Sequence, residues 1–181
     1  MVKAKEFESE RLSYKPLNLN YCTDQYVNWL NDYVIYQFLE TGGNYTKEML
    51  NDYLHEVQNS NIYFWAIHLK ENQKHIGNIK IDPINSKHSV GEYGIMMGDK
   101  LEWGKGYAAE ASNRVIRFCF FEGLNLRKIT LGVLKDNIAA VKLYEKLGFE
   151  EEGRFLKHAF HNGKYCDVIR MALFNPNYRY D

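Results

Sequence analysis

The spacing of apolar residues changes along the chain, and each change marks an element. Arg11–Leu17 reads as a first strand, and Thr23–Leu30 and Tyr33–Leu39 read as two short helices. Between Thr46 and Gln58, Met49, Leu50, Tyr53, Leu54 and Val57 recur at helical spacing behind Thr46, a residue suited to the N-cap. The period then shortens. Ile62–Leu69 and His75–Ile81 read as paired strands joined through Lys70–Lys74, and Val90–Met97 reads as a third after the turn-rich stretch Asp82–Ser89. From Gly104 to Phe121 the helical spacing returns, with Ala108, Ala111, Val115, Phe118 and Cys119 on one stripe. Glu110, Arg114 and Arg117 lie opposite, Glu110 and Arg114 as an i,i+4 pair, and Gly123 ends the helix.

Lys128–Leu134 predicts a strand, and Asn137–Leu147 a short helix stopped by Gly148 with Phe149 just beyond, the pattern of a Schellman ending. Two last strands, Phe149–Phe160 and Lys164–Phe174, flank Asn162-Gly163, a hairpin dipeptide. Together the elements predict an α/β (α+β) fold, a mixed, mostly antiparallel twisted sheet flanked by helices, in one domain spanning residues 1–181.

Composition narrows the function. Lys+Arg and Asp+Glu are both 23, giving a formal net charge of +0. That balance gives no electrostatic case for nucleic acid or an acidic membrane surface. No run approaches the roughly 18 apolar residues of a membrane span, and Met1–Glu10 is polar, without a signal-peptide core. Cys22, Cys119 and Cys166 are odd in number and widely spaced, so neither a disulfide framework nor a zinc site is expected, and a reducing cytoplasmic compartment is. His55-Glu56 begins like a zincin motif, but Asn59 stands where its second His would be. No metal is expected, and a homodimer is left open.

The candidate chemistry starts at Leu101-Glu102-Trp103-Gly104-Lys105-Gly106-Tyr107-Ala108, between a strand and a helix. Two glycines allow close backbone approach and conformations that a Cβ forbids. The first amides of a helix lack intrahelical partners, and its N-terminus carries about half a positive charge, which suits a pyrophosphate. Lys100 and Lys105 add cationic reach. A plain glycine-containing loop is the alternative. Walker A fails because Gly106 follows Lys105. Gly104, Gly106 and Ala109 satisfy a loose Rossmann fingerprint, but after an antiparallel meander rather than in a first βα unit.

The segment resembles motif A of the GNAT superfamily of acetyl-CoA-dependent N-acyltransferases, Gln/Arg-x-x-Gly-x-Gly/Ala. Trp-Gly-Lys-Gly-Tyr-Ala looks like the branch with ribosomal-protein N-terminal and spermidine acetyltransferases. The Gln/Arg position falls on Leu101, a departure. Downstream, Asp136-Asn137 through Leu147-Gly148-Phe149 is similar to motif B. Asn137 and Tyr144 share a helical face two turns apart. The resemblance implies acetyl-CoA as co-substrate, held by Trp103, Gly104, Lys105, Gly106, Tyr107 and Ala108. It also implies Asn137 on the pantetheine arm, Tyr144 near the sulfur, and an oxyanion donor from the backbone of Ile95-Met96-Met97. On the residues alone, the alternatives are an N-cap for Asn137 and a core aromatic for Tyr144.

Acetyl transfer to an amine poses further demands. With a reference pKa of about 10.4, only about one lysine-like amine in 10³ is neutral near pH 7, so a base is expected. Glu92 in Gly91-Glu92-Tyr93-Gly94 is the first candidate, as family members often carry a Glu acting through water there; His88 is the second. A solvated strand carboxylate is the alternative for Glu92. Proton transfer from Tyr144 to a thiolate is uphill by about 2 kcal/mol at ordinary pKa values, so Tyr144 is expected to hydrogen-bond the sulfur rather than protonate it outright. Catalysis is therefore assigned to Tyr144 and Glu92, by direct attack in a ternary complex.

The acceptor is a small-molecule or peptide amine: an amino sugar, a polyamine or a protein N-terminus. The resemblance places its cleft between Thr23–Gln58 and Arg154–Lys164, where Trp29, Asn31, Asp32, Tyr33, Tyr36 and Glu40 stand. A CoA-binding or sensing domain with little catalysis is the second hypothesis.

Overall fold

The structure, a computed structural model, describes residues 4–60 and 62–179. Its strands are β1 (Phe7–Glu8), β2 (Leu12–Pro16), β3 (Tyr63–Leu69), β4 (His75–Asn85), β5 (Val90–Met97), β6 (Lys128–Leu134), β7 (Glu150–His161) and β8 (Lys164–Phe174). Its α-helices are α1 (Asp24–Asn31), α2 (Tyr33–Tyr36), α3 (Lys47–Asn59), α4 (Tyr107–Arg117) and α5 (Ile138–Lys146). The eight strands run in the order β1-β2-β3-β4-β5-β6-β8-β7. β5 and β6 are parallel, whereas β1–β2, β2–β3, β3–β4, β6–β8 and β7–β8 are antiparallel. The mixed, mostly antiparallel α/β architecture is the one the sequence predicts.

The chain groups into two compact units. The first comprises the residues up to Asp82 with Gly94–Ala111, and the second Pro83–Tyr93 with the residues from Ser112 onward. In the first, α3 begins where Thr46 accepts a hydrogen bond from the Met49 amide at 3.2 Å. It buries Leu50, Leu54 and Val57 against Trp29, Leu30, Ile35 and Phe64. Met49 shares the spacing but faces solvent, 47% exposed. β3 is buried at every position. Gly98 lies flush against Trp29, where a Cβ would stand 2.0 Å from the indole.

In the second unit, Ala111 of the first unit aside, the stripe of α4 is buried at Val115, Phe118 and Cys119. The helix ends at Arg117 and closes through a π-turn over Phe118–Glu122, with the Gly123 amide bonded to the Phe118 carbonyl at 2.9 Å. The expected Glu110–Arg114 pair is not the one made: Glu110 pairs with Arg11, and Arg114 with Glu122. α5 is capped by the Asn137 side chain on the Ala140 amide and ends in the Schellman geometry, with Phe149 N–H on Tyr144 O and Gly148 N–H on Glu145 O, both 3.0 Å. β4 runs on to Asn85 through the stretch expected to turn, and β1 lies outside the strands the sequence predicts. Among the described residues no helix is long and apolar enough to cross a membrane.

A histidine pair, His68 buried and His75 half-buried, is expected to make the first unit acid-sensitive. His68 stacks on His75 with centroids 5.2 Å apart. His75 Nε2 lies 3.0 Å from Gly77 O and 2.9 Å from Asn78 Oδ1, two acceptors that place the proton on that nitrogen. Burial, then the neighbouring His75 and Lys15, pushes His68 down to about 4, and burial also lowers His75. A histidine lowered in the folded state contributes stability that is complete above its unfolded pKa of about 6.5 and is lost as pH falls toward the folded value. Glu102, held low by its Lys105 and Lys74 partners, loses its contribution only at lower pH. The urea midpoint is therefore expected to fall between pH 6.5 and 4.5, by roughly 2 kcal/mol in stability, and to fall less in His68→Gln. A midpoint constant across that range in the parent protein would contradict this.

Candidate active site

In the first unit, the end of β5 leads through a short 3₁₀ turn (Lys100–Glu102) into the glycine turn before α4. Gly104 and Gly106 both adopt left-handed backbone, φ +76° and +83°, which explains glycine at each. Around Gly104 nothing lies within 4 Å of a would-be Cβ, so dihedral angle rather than space selects it. The Trp103 amide is spent on Lys100 O at 3.3 Å. The amides of Gly104, Lys105, Gly106 and Tyr107 make no hydrogen bond among the described residues. Consecutive unengaged donors at a helix N-terminus form an arrangement that favours an anion.

The side chains around the turn brace it. Trp103 Nε1 donates to Met97 O at 2.9 Å, tying the turn to the end of β5. Gly77 of β4 passes so close that a Cβ there would stand 2.4 Å from Met96 O. The two lysines expected to reach an anion are both paired: Lys105 with the buried Glu102 at 2.7 Å, and Lys100 with Asp32. Glu102 also takes Lys74 at 3.2 Å. With both lysines paired, what the turn offers an anion is backbone dipoles. Leu101, at the departure from the family motif, is 78% exposed.

In the second unit, Glu92 of β5 lies beside Thr130 of β6 in the parallel register. Arg170 of β8 grips its carboxylate with both nitrogens, Nη1 on Oε1 and Nη2 on Oε2, each 2.7 Å, and Thr130 Oγ1 donates to Oε2 at 2.7 Å. Such a bidentate pair fixes the carboxylate in one orientation. Arg170 and Thr130 are functional-site candidates that sequence reading missed. The signal was Gly132 in the middle of β6: a Cβ there would stand 2.9 Å from Arg170 Nη1, so the glycine makes room for the guanidinium. A cavity of 510 Å³ opens beside Glu92 and Thr130, walled by Val90 and Pro83–Ser86. His88 is exposed in the turn, its backbone N–H held by Asn85 Oδ1.

Tyr144, also in the second unit, is 7% exposed. Its ring meets Tyr93 edge-on at 5.9 Å and Phe149 at 5.9 Å. Its hydroxyl has no hydrogen-bond partner among the described residues, and burial pushes its pKa up to about 12. Full proton transfer to a thiolate near 8.5 would then cost about 5 kcal/mol, well above the sequence-based figure. Asn137 uses Oδ1 for the cap, which leaves its side-chain NH₂ as a donor.

The early-helix residues have structural roles. Asn31 clips the Tyr45 backbone from both sides, at 2.6 and 2.8 Å, and Asp32 caps α2 on the Val34 amide. Trp29 is in the core, Tyr33 is 52% exposed, and Tyr36 packs under Gly43.

Residues 11–150 match the acetyltransferase (GNAT) domain family, and the chain belongs to that family. Spermidine N(1)-acetyltransferase of Vibrio cholerae serotype O1 is 37% identical over 131 residues, 70% of this chain and 75% of that protein. A crystal structure of the spermidine N-acetyltransferase from Vibrio cholerae, in complex with CoA and spermine, has a TM-score of 0.84 at 28% identity, covering 93% of this chain and 98% of that one. The ribosomal-protein-S5-alanine acetyltransferase from Vibrio fischeri shares the fold, with a TM-score of 0.78 at 21% identity over 97% and 99% of the two chains. The reaction is N-acetyl transfer, and acetyl-CoA is its co-substrate. Among the described residues no cluster of His, Cys, Asp or Glu could hold a metal ion.

Proposed function

We propose that this enzyme acetylates a primary amine of a polyamine such as spermidine, by direct attack in a ternary complex. The observation that carries the acetyl-CoA half is the run of unengaged amides from Gly104 to Tyr107 behind two left-handed glycines, within the family's own motif. The polyamine half is supported by the relative at 37% identity that is named for spermidine.

In this reading the amides of Gly104, Lys105, Gly106 and Tyr107 take the pyrophosphate, with Trp103 and Ala108 bounding the turn. The family resemblance assigns Asn137 to the pantetheine arm, Tyr144 to the thioester sulfur, and a backbone amide at Met96 or Met97 to the developing oxyanion. Glu92 accepts the ammonium proton through water. Arg170 and Thr130 keep its carboxylate aimed. The buried Tyr144 hydroxyl stays protonated and donates a hydrogen bond as charge builds on sulfur.

CoA release should be measured against spermidine, spermine, putrescine, an amino sugar and a peptide with N-terminal alanine. Spermidine or spermine is expected to show a kcat/KM at least about 10-fold above the others, within the one to two decades that a pocket contact is worth. Faster turnover of the peptide or the sugar would overturn the polyamine assignment. Tight CoA binding with no turnover of any amine would favour a sensing domain instead.

A further inference from the structure

We infer that Arg11 is a positioning residue that sets the orientation of the glycine-turn amides, an inference that rests on the reading of that turn as the pyrophosphate site. Neither the strand pattern around Arg11 nor the helix pattern around Glu110 pointed to it.

Arg11 stands just before β2, far in sequence from the turn, yet its guanidinium spans it. Nη1 donates to Lys105 O at 3.0 Å, Nε donates to Glu110 Oε2 at 2.7 Å, and Cζ lies 4.5 Å above the Tyr107 ring. Nη2 is 3.5 Å from the place where a Cβ on Gly106 would be. Glu110 is itself held: its Oε1 accepts the Arg11 backbone N–H at 2.7 Å and the Ser9 hydroxyl at 2.6 Å. That carboxylate is largely buried, 14% exposed, and sits in the first turn of α4.

The consequence follows from peptide planarity. The carbonyl of Lys105 and the N–H of Gly106 belong to one trans peptide and point in opposite directions. Anchoring the carbonyl on Arg11 therefore aims the Gly106 N–H away from Arg11 and fixes the orientation of one of the four unengaged amides. The task needs two acceptors served at once by one rigid, planar fork, on the turn and on the helix, and the Tyr107 ring beneath the guanidinium helps hold that fork in place. Lysine offers a point charge that can pair with Glu110 but cannot bridge both. Arg11 does not act as the phosphate's counter-charge, because Glu110 already balances it. Its role is geometric.

The test uses the full chain and CoA as the probe. Affinity is read by calorimetry, and folding by thermal melting, in the parent, Arg11→Ala, Arg11→Lys and Gly106→Val. Arg11→Ala is expected to weaken CoA about 10-fold. Arg11→Lys is expected to restore the melting temperature through Glu110 while CoA stays weakened by a similar factor. Recovery of affinity in step with melting temperature in Arg11→Lys would overturn the proposal, because Arg11 would then serve stability alone. Unchanged affinity in Arg11→Ala with loss in Gly106→Val would overturn it while leaving the turn's assignment standing. Unchanged affinity in all variants would remove the underlying reading as well.

Discussion

Gly106→Val is expected to weaken acetyl-CoA binding by about 100-fold or more while leaving the melting temperature within a few degrees. Gly106 sits at φ +83°, a backbone conformation that a β-branched residue pays for heavily. Space is not the obstacle, since the nearest atom to a Cβ is Arg11 Nη2 at 3.5 Å. The strain falls on the backbone, and an exposed turn relieves it by rotating rather than by unfolding. Rotation of that one residue swings both adjoining peptides. Two or more donors are then re-aimed, and each lost hydrogen bond to a charged acceptor is worth about 1.5–3 kcal/mol. Initial rates of CoA release over a range of acetyl-CoA concentrations measure the effect as a raised KM. A KM within threefold of the parent would show that the turn's conformation is not what binds the diphosphate. Gly104 has equal need of its left-handed φ of +76°, so the same logic extends to it.

Tyr144→Phe carries the second large effect: kcat reduced about 10- to 100-fold, with the acetyl-CoA KM changed less than threefold. The ring is packed between Tyr93 and Phe149, and phenylalanine preserves those contacts, so folding is not in question. Only the hydroxyl is lost, and it has no partner among the described residues to leave unsatisfied. A group that matters only when negative charge appears on sulfur lowers kcat rather than affinity. The pH dependence separates the two candidate roles. Burial raises the Tyr144 pKa to about 12, so the phenol keeps its proton throughout pH 6–10 and adds no inflection there. An alkaline limb near pH 9 that vanished in Tyr144→Phe would contradict a neutral hydrogen-bond donor. An unchanged kcat would leave Tyr144 as a core aromatic.

The fold was legible wherever local signals and burial agreed. Thr46, Asn137 and the Gly148-Phe149 ending announced helix boundaries because capping is local chemistry, and the structure shows each of those bonds. Asn162-Gly163 announced its hairpin for the same reason; both residues have positive φ. β1 left no signal because a two-residue strand has no period to detect. The π-turn at the end of α4 follows from Gly123 closing over the Phe118 ring, where a Cβ would stand 2.3 Å away, a tertiary fact.

The candidate site was legible to the same degree. Gly104 and Gly106 could be picked out because left-handed backbone restricts the residue type. Arg11 and Arg170 could not, because each acts across about a hundred or eighty residues of chain on a partner that looks locally satisfied. Glu110 in particular reads as half of an i,i+4 pair with Arg114, and the strap from Arg11 and Ser9 outcompetes it by supplying a backbone N–H, a hydroxyl and a guanidinium to one carboxylate. The partnering of Lys105 by Glu102 was hidden for a related reason: a buried carboxylate three residues before a lysine looks, in sequence, like an ordinary exposed pair.

The central claim, that backbone amides of the glycine turn hold the diphosphate, is tested most directly by a crystal structure of the protein grown with CoA. The claim predicts diphosphate oxygens within hydrogen-bond distance of the Gly104–Tyr107 amides, with the Lys105 carbonyl still on Arg11. A diphosphate seated on side chains elsewhere, with those amides facing solvent, would contradict it.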